Sequence, residues 1–248
     1  MRTFFILWKK ELAGYFLSPV AYAVTVFFLI VMGVSFWLLI GVLSEGARGL
    51  SVMNELFGSI FFWLALLIVV PILTMRLFAE ERRSGTFEAL MTAPVRDTEV
   101  VLAKYAGALT FYTIMWLPTL AYVWVLRVFS PEGAPVDLGA VAGGYVGALV
   151  LGAFFLALGL FASALTRNQI VAAIAAFALI CVFFLAGFVP YVWHTPAAQR
   201  LGGYTSAVMH MLDFARGVVD SRALAFYAIN TAFLLFATVK VVEARRWK

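Results

Sequence analysis

Side chains that perform bond chemistry are scarce in this sequence. It has two histidines, His194 and His210, and one cysteine, Cys181. Neither the HExxH zinc motif nor the GxxxxGK[ST] phosphate-binding motif occurs. A lone cysteine forms no disulfide framework and is most simply a packing residue, and isolated histidines are most simply polar surface residues. We expect no catalytic residue and no metal site, and we expect any nucleotide-driven work to come from another subunit.

The charged side chains, in contrast, form a pattern. Nine lie in residues 76–99, namely Arg76, Glu80, Glu81, Arg82, Arg83, Glu88, Arg96, Asp97 and Glu99. The pattern predicts a helix over 77–83, with Glu80 and Arg83 paired and a break at Ser84-Gly85. A second short helix is predicted over 87–92, capped by Thr86 and ended before Pro94.

Two interpretations of residues 76–99 remain open on the residues alone. The charges can simply keep a connecting loop in water. Alternatively, the second short helix presents Phe87, Leu90 and Met91 as exposed apolar contacts with Glu88 between them, which is typical of a docking surface for a protein partner.

The elements around this segment are apolar. Hydrophobic residues make up 64% of the chain and charged residues 12%, against roughly a quarter charged in soluble domains. Apolar runs of about 20 residues can cross a bilayer. The predicted fold is an all-α polytopic membrane protein in which a single transmembrane domain occupies 1–248. Its six spans cover 19–43, 56–75, 100–126, 139–166, 168–189 and 223–239. We expect Pro71 and Pro118 to kink their spans and Asp97 to cap the third.

The orientation follows from the basic residues, which favour the cytoplasmic side. If both termini are cytoplasmic, thirteen of the eighteen Lys and Arg residues lie inside. The basic excess is therefore explained by topology, and nucleic acid is not an expected partner. No span carries an acidic or basic residue near its centre, and Lys104 and Arg127 are expected to reach water from the ends of the third span.

The start of the chain has its own pattern. In residues 2–17, six apolar side chains share one helical face, namely Phe4, Phe5, Trp8, Leu12, Tyr15 and Phe16. This amphipathic pattern favours a helix lying in the membrane interface over a plain cytosolic tail.

The fourth span has small residues along one face, at Gly144, Ala148 and Gly152. This spacing allows two helices to approach closely. This face could pack against another helix of the same chain, or it could form the interface between two copies of the chain.

Several motifs together resemble ABC-2-type transporter permeases. They are Glu81-Arg82, Gly85-Thr86-Phe87-Glu88-Ala89-Leu90, Ala93-Pro94-Val95 and Glu99-Val100-Val101-Leu102-Ala103-Lys104. The start Lys10-Glu11-Leu12 with Tyr15-Phe16, Ser18-Pro19 and Tyr22, the segment 214–220 and the end Glu243-x-Arg245-Arg246-Trp247 are similar to the branch associated with gliding motility and copper-enzyme maturation.

This resemblance implies a permease subunit that couples ATP hydrolysis by a separate ATPase to substrate translocation or to mechanical transduction. Two permeases and two ATPase subunits form the exporter-like assembly, in the inner membrane of a prokaryote with both termini cytoplasmic. The permeases form a homodimer or a heterodimer. ATP and Mg²⁺ are expected on the ATPase, and no cofactor on this chain. By resemblance, the ATPase-docking coupling helix comprises Glu80, Glu81, Arg82, Arg83, Gly85, Thr86, Phe87, Glu88 and Leu90, and the smaller second contact comprises Arg167, Asn168 and Gln169.

Other functions stay open beside the permease. A membrane anchor could recruit cytosolic proteins through the same loop without transporting anything, and an ATP-independent carrier would act alone. Residues 190–222 are expected to form short outer helices with a local salt bridge between Asp213 and Arg216. An extracytoplasmic accessory protein is a further partner for that segment. The substrate has no signature in the residues.

Overall fold

A computed structural model describes residues 2–44, 51–85, 95–129, 137–188, 195 and 203–246. The elements of these residues are all helical, in the order α1 (Arg2–Phe16), α2 (Pro19–Ser44), α3 (Val52–Gly58), α4 (Ile60–Thr74), α5 (Ala79–Arg83), α6 (Asp97–Trp116), α7 (Leu120–Phe129), α8 (Leu138–Leu165), α9 (Gln169–Ala186), α10 (Ala207–Ala215) and α11 (Ser221–Arg246).

Six helical segments in the described part of the chain are long and apolar enough to cross a membrane. They are Pro19–Ser44, Ile60–Arg83, Asp97–Val128, Leu138–Leu165, Gln169–Ala186 and Ser221–Ala244. The predicted fold class, an all-α polytopic membrane protein, is therefore confirmed.

Two helix boundaries differ from the sequence-based expectation, and the kink predicted at Pro118 takes the form of a 3₁₀ turn. The predicted second span is interrupted at Ser59, whose hydroxyl accepts from the Phe62 N–H at 3.3 Å and separates α3 from α4. Arg96, not Asp97, is the N-cap of α6, because its backbone is still extended while Asp97 already lies in the helix. Pro118 lies in a 3₁₀ turn between α6 and α7, since it cannot donate the hydrogen bond that an α-helix requires there.

Helix α8 lies at the centre of the bundle and packs against α4, α6, α9, α10 and α11. Beside it, the ring of Trp116 is surrounded by aromatic rings at centroid distances of 4.8–6.2 Å, from Phe28, Phe57, Phe62, Tyr112 and Tyr145. This apolar core joins the first four spans into one packed unit.

The two ends of the bundle carry different elements. One end, called the lever end here, holds α1, α5, the start of α6 and the turn between α8 and α9. The opposite end holds the short helices α3 and α10, which pack against each other and against α8.

Candidate functional site

The start of α5 is held by a serine of α8. The buried Ser163 Oγ accepts hydrogen bonds from the N–H groups of Phe78 at 3.1 Å and Ala79 at 3.2 Å. It donates to the carbonyl of Met75 at 3.2 Å. Because the first N–H groups of a helix have no partner within it, this hydroxyl satisfies them. Helix α8 thus determines where the chain turns from α4 into α5.

A second contact between α8 and α4 lies one turn before Ser163. Gly159 faces the side chain of Thr74, and a Cβ at residue 159 would overlap the Thr74 side chain. Thr74 Oγ1 itself donates to the Val70 carbonyl at 2.9 Å, so its side chain is fixed. The two helices are therefore in close contact immediately before the turn into α5.

Lys104 joins three helices at the lever end. Its Nζ lies 2.8 Å from Glu11 Oε1 of α1 and 2.7 Å from Glu81 Oε1 of α5. The side chain of Lys104 is 3% exposed, and its ammonium lies 5.4 Å from the ring centroid of Phe78. The prediction that Lys104 reaches water is wrong, because two carboxylates replace the water that a buried ammonium needs. This ion-pair cluster carries two negative charges and one positive charge.

Helix α1 is packed on the bundle by polar and aromatic contacts. Trp8 Nε1 donates to Thr110 Oγ1 at 3.2 Å, and the Tyr15 hydroxyl donates to the Leu73 carbonyl at 2.8 Å. The Tyr15 ring stacks on Phe111 with centroids 4.9 Å apart. Burial raises the pKa of the Tyr15 hydroxyl, so it stays protonated and keeps donating.

The inward face of α1 differs from the predicted aromatic face. Trp8 and Tyr15 face the protein, whereas Phe5 and Phe16 are exposed. Sequence reasoning missed Glu11, which lies on the same helical face as Trp8 and Tyr15. An acidic residue within an aromatic face was the signal that a cation must lie opposite it.

Arg76 links the start of the first span to the end of the second. Its Nη1 donates to Ser18 Oγ at 2.8 Å, and its Nε lies 4.0 Å from Glu80 Oε2. Among the described residues, Glu80 therefore approaches Arg76, and the predicted pair between Glu80 and Arg83 does not form. The reason is that Arg76 lies one helical turn before Glu80 and is held in place by its hydrogen bond to Ser18.

Part of the predicted docking segment lies in the described residues. Glu80, Arg83 and Gly85 are exposed, while Glu81 and Arg82 are half-buried. Gly85 has a φ of +73°, a left-handed conformation that favours glycine and ends the helix where predicted. The remaining predicted residues, Thr86, Phe87, Glu88 and Leu90, lie outside the described residues.

The predicted second contact lies at the same end of the bundle. Arg167, Asn168 and Gln169 form the turn from α8 into α9, and Arg167 and Asn168 are exposed. Asn168 caps α9 by accepting the Ile170 N–H at 2.9 Å. Since Ser163 contacts the start of α5 and α9 packs against α5, the structure brings this turn and α5 together.

The small-residue face of α8 packs inside the chain. Gly144 faces the ring of Phe57, and Gly152 faces the ring of Tyr112. The Tyr112 hydroxyl donates to the carbonyl of the buried Ala148 at 3.0 Å. Of the two open interpretations, internal packing therefore describes this face, which is covered by aromatic rings.

The opposite end of the bundle contains α10. Asp213 and Arg216 are exposed there, and the predicted salt bridge between their side chains is not among the ion pairs of the described residues. Instead the Arg216 N–H donates to the Asp213 carbonyl at 3.1 Å. His210 is buried, contrary to the surface prediction, with Nδ1 3.1 Å from the Tyr227 hydroxyl. Burial lowers the pKa of its imidazole.

The side chains at the lever end connect four helices, α1, α5, α6 and α8. Within the described ranges, His, Cys, Asp and Glu form no group of three that could hold a metal ion. Glu81 of α5 pairs with Lys104 of α6, which also pairs with Glu11 of α1, and the start of α5 donates to Ser163 of α8. Helix α5 is thus connected directly to α6 and α8, and through Lys104 to α1.

Together, the six membrane-crossing helices and the charged helix α5 at one end of the bundle define a polytopic helical membrane protein. The family described as ABC-2 family transporter protein matches residues 49–209. The match covers more than half of the chain, so the chain belongs to the ABC-2 transporter family. It includes α5, Lys104 and Ser163 but not Glu11. The comparison with curated proteins finds no match, and the gliding-motility and copper-maturation branch stays a prediction.

Proposed function

We propose that this chain is the permease subunit of an ATP-driven ABC-2 transporter and that α5 receives the motion of a separate ATPase subunit. Family membership supports the subunit class. The observation that carries the coupling role is the attachment of α5, through Glu81 and Lys104, to α1 and α6. A loop that only kept its charges in water would need no buried ion pair.

In this proposal the ATPase contacts residues 80–92 and the turn 167–169. Closure of the ATPase displaces α5, and the displacement passes through Lys104 to α1 and α6 and through Ser163 to α8. Such short bonds can transmit a displacement because hydrogen bonds in proteins keep donor–acceptor distances of about 2.7–3.2 Å. The chain itself makes and breaks no covalent bond.

The assembly follows the same proposal. Two permeases and two ATPase subunits form the transporter, and ATP and Mg²⁺ bind to the ATPase subunits. The lever end and both termini face the cytoplasm of a prokaryote, because thirteen of the eighteen basic residues then lie on the cytoplasmic side.

The test is purification of the tagged chain from its own host in mild detergent. We expect an ATPase with a phosphate-binding loop to co-purify, and we expect Glu88→Ala and Phe87→Ala to weaken that association. Glu55→Ala is the matched control, since Glu55 is exposed on α3 at the opposite end. ATP turnover and substrate transport by the reconstituted complex are then measured.

Two results would contradict the proposal. If Glu88→Ala and Phe87→Ala keep the ATPase bound with transport intact, the docking segment is assigned wrongly. If a partner without a phosphate-binding loop co-purifies and no transport is seen, the chain is a membrane anchor instead.

A further inference from the structure

Two cavities of different character adjoin at the lever end. The first has a volume of about 250 Å³, lies between α1, α5 and the start of α6, and has charged walls. The second has a volume of about 140 Å³ and lies between α1, α2 and α6. Tyr15 lines both cavities. A ligand that occupies both cavities would therefore have a polar end and an apolar end, with Tyr15 between them.

The charged cavity holds cations and carboxylates in equal number. The cations in its lining are Lys10, Arg76 and Lys104, and the carboxylates are Glu11, Glu80 and Glu81. Lys104 is already enclosed by two carboxylates. The side chains that remain accessible are Lys10, which is exposed, and the pair Arg76 and Glu80, which are 36% and 53% exposed. Lys10 and Arg76 can thus bind an anionic group of a ligand, and Glu80 can bind a cationic group.

The second cavity is apolar and faces outward. Phe16 and Tyr22 on its rim are 39% and 58% exposed, Pro118 is exposed as well, and Met115 is buried. The hydroxyl of Thr25 donates to the Ala21 carbonyl at 2.9 Å, so it is satisfied within its own helix. Because α2 and α6 belong to membrane-crossing segments, the rim opens toward the hydrocarbon of the bilayer.

We propose that the two cavities bind one molecule of a phospholipid with a primary-amine headgroup, of the phosphatidylethanolamine type. Lys10 and Arg76 bind the phosphate, Glu80 accepts from the ammonium, and one acyl chain enters the apolar cavity beside Tyr22. A choline headgroup has no N–H to donate to Glu80, and a glycerol headgroup brings no positive charge. This inference goes beyond the proposed function. Glu80 belongs to both proposed sites, so lipid binding is measured on the purified chain without an ATPase, which keeps the two tests distinguishable.

The test is a lipid titration of the purified full chain in detergent, followed by native mass spectrometry. The lipids are phosphatidylethanolamine, phosphatidylcholine and phosphatidylglycerol with identical acyl chains. We expect the amine lipid to bind most tightly. Glu80→Gln should weaken its binding about tenfold, as for the loss of one charge-assisted hydrogen bond. Glu55→Gln is the matched control at the opposite end and should leave binding unchanged.

The acyl chain is tested by filling its cavity. Thr25→Phe should weaken all three lipids, while Ile30→Phe on the exposed side of the same helix should weaken none. Equal binding of the three lipids, or tightest binding of phosphatidylglycerol, would overturn the headgroup assignment. Unchanged binding in both Glu80→Gln and Thr25→Phe would overturn the location.

Discussion

Replacement of Lys104 by Met tests the buried ion-pair cluster directly. Methionine keeps the length and the apolar stem of lysine but removes the charge. The change leaves Glu11 and Glu81 facing each other, each only 19% exposed and without the ammonium that lies 2.8 and 2.7 Å away. Like charges in a poorly solvated site repel, so the variant should be destabilised.

The expected magnitude follows from the burial of the cluster. Removing one partner of a buried ion pair costs about 3–5 kcal/mol, because the remaining charge is left uncompensated. The triple variant Lys104→Met, Glu11→Gln, Glu81→Gln removes the three charges of the ion-pair cluster. Its free energy of unfolding should be within about 1 kcal/mol of that of the natural protein. Lys240→Met is the matched control. Its pair with Glu243 is 57% and 38% exposed, and such pairs contribute about 0–1 kcal/mol.

The measurement is equilibrium unfolding of the three variants in mixed micelles of increasing SDS content, followed by circular dichroism. If Lys104→Met and Lys240→Met lose the same free energy of unfolding, Lys104 is solvated and the reasoning fails. If the triple variant is less stable than Lys104→Met, charge repulsion is not the cause of the loss.

Three further outcomes are expected. Ser163→Ala removes an acceptor for two N–H groups and should cost about 1–3 kcal/mol of unfolding free energy; a loss under about 0.5 kcal/mol would mean that water replaces the hydroxyl. Gly159→Val forces a side chain against Thr74 and should lower the unfolding free energy by about 1–3 kcal/mol, whereas Gly41→Val, with open space around residue 41, should cost less. Burial depresses the pKa of His210, so the unfolded chain binds a proton first and stability should fall as the pH drops below about 6.5. The His210→Gln variant should show a flatter pH profile in the same unfolding assay, and an identical profile would contradict this assignment.

The spans could be predicted because hydrophobic length is a local property of the chain. The break after α5 was also predictable, since Gly85 marks it. The interruption at Pro118 follows from the proline itself. The interruption at Ser59 could not be predicted, because apolar composition does not distinguish a continuous helix from two that are joined at a serine.

The ion-pair cluster could not be predicted by the same reasoning. Lys104 lies 93 residues from Glu11 and 23 from Glu81, so no helical spacing relates the three. A lysine near the start of a membrane helix is expected to extend into water. In this chain the packing of α1 against α6 buries Lys104 instead. Ser163 was missed for a similar reason, because its three partners are backbone groups and backbone groups have no sequence signature.

The pattern of bonds at the lever end also determines which helix can move independently. Helix α5 is bound to α1 and α6 by charge and to α8 by Ser163, and the aromatic rings around Trp116 join the first four spans. Helix α9, in contrast, buries Ala172, Ala176 and Ile180, and its aromatic contacts, Phe183 with Phe154 and Phe184 with Trp63, lie near its end away from α5. Small side chains lose little contact when two helices slide. If α5 receives the motion of an ATPase, we therefore expect the first four spans to move as one body relative to α9, and a cross-link between α8 and α9 to block transport while leaving ATPase binding intact.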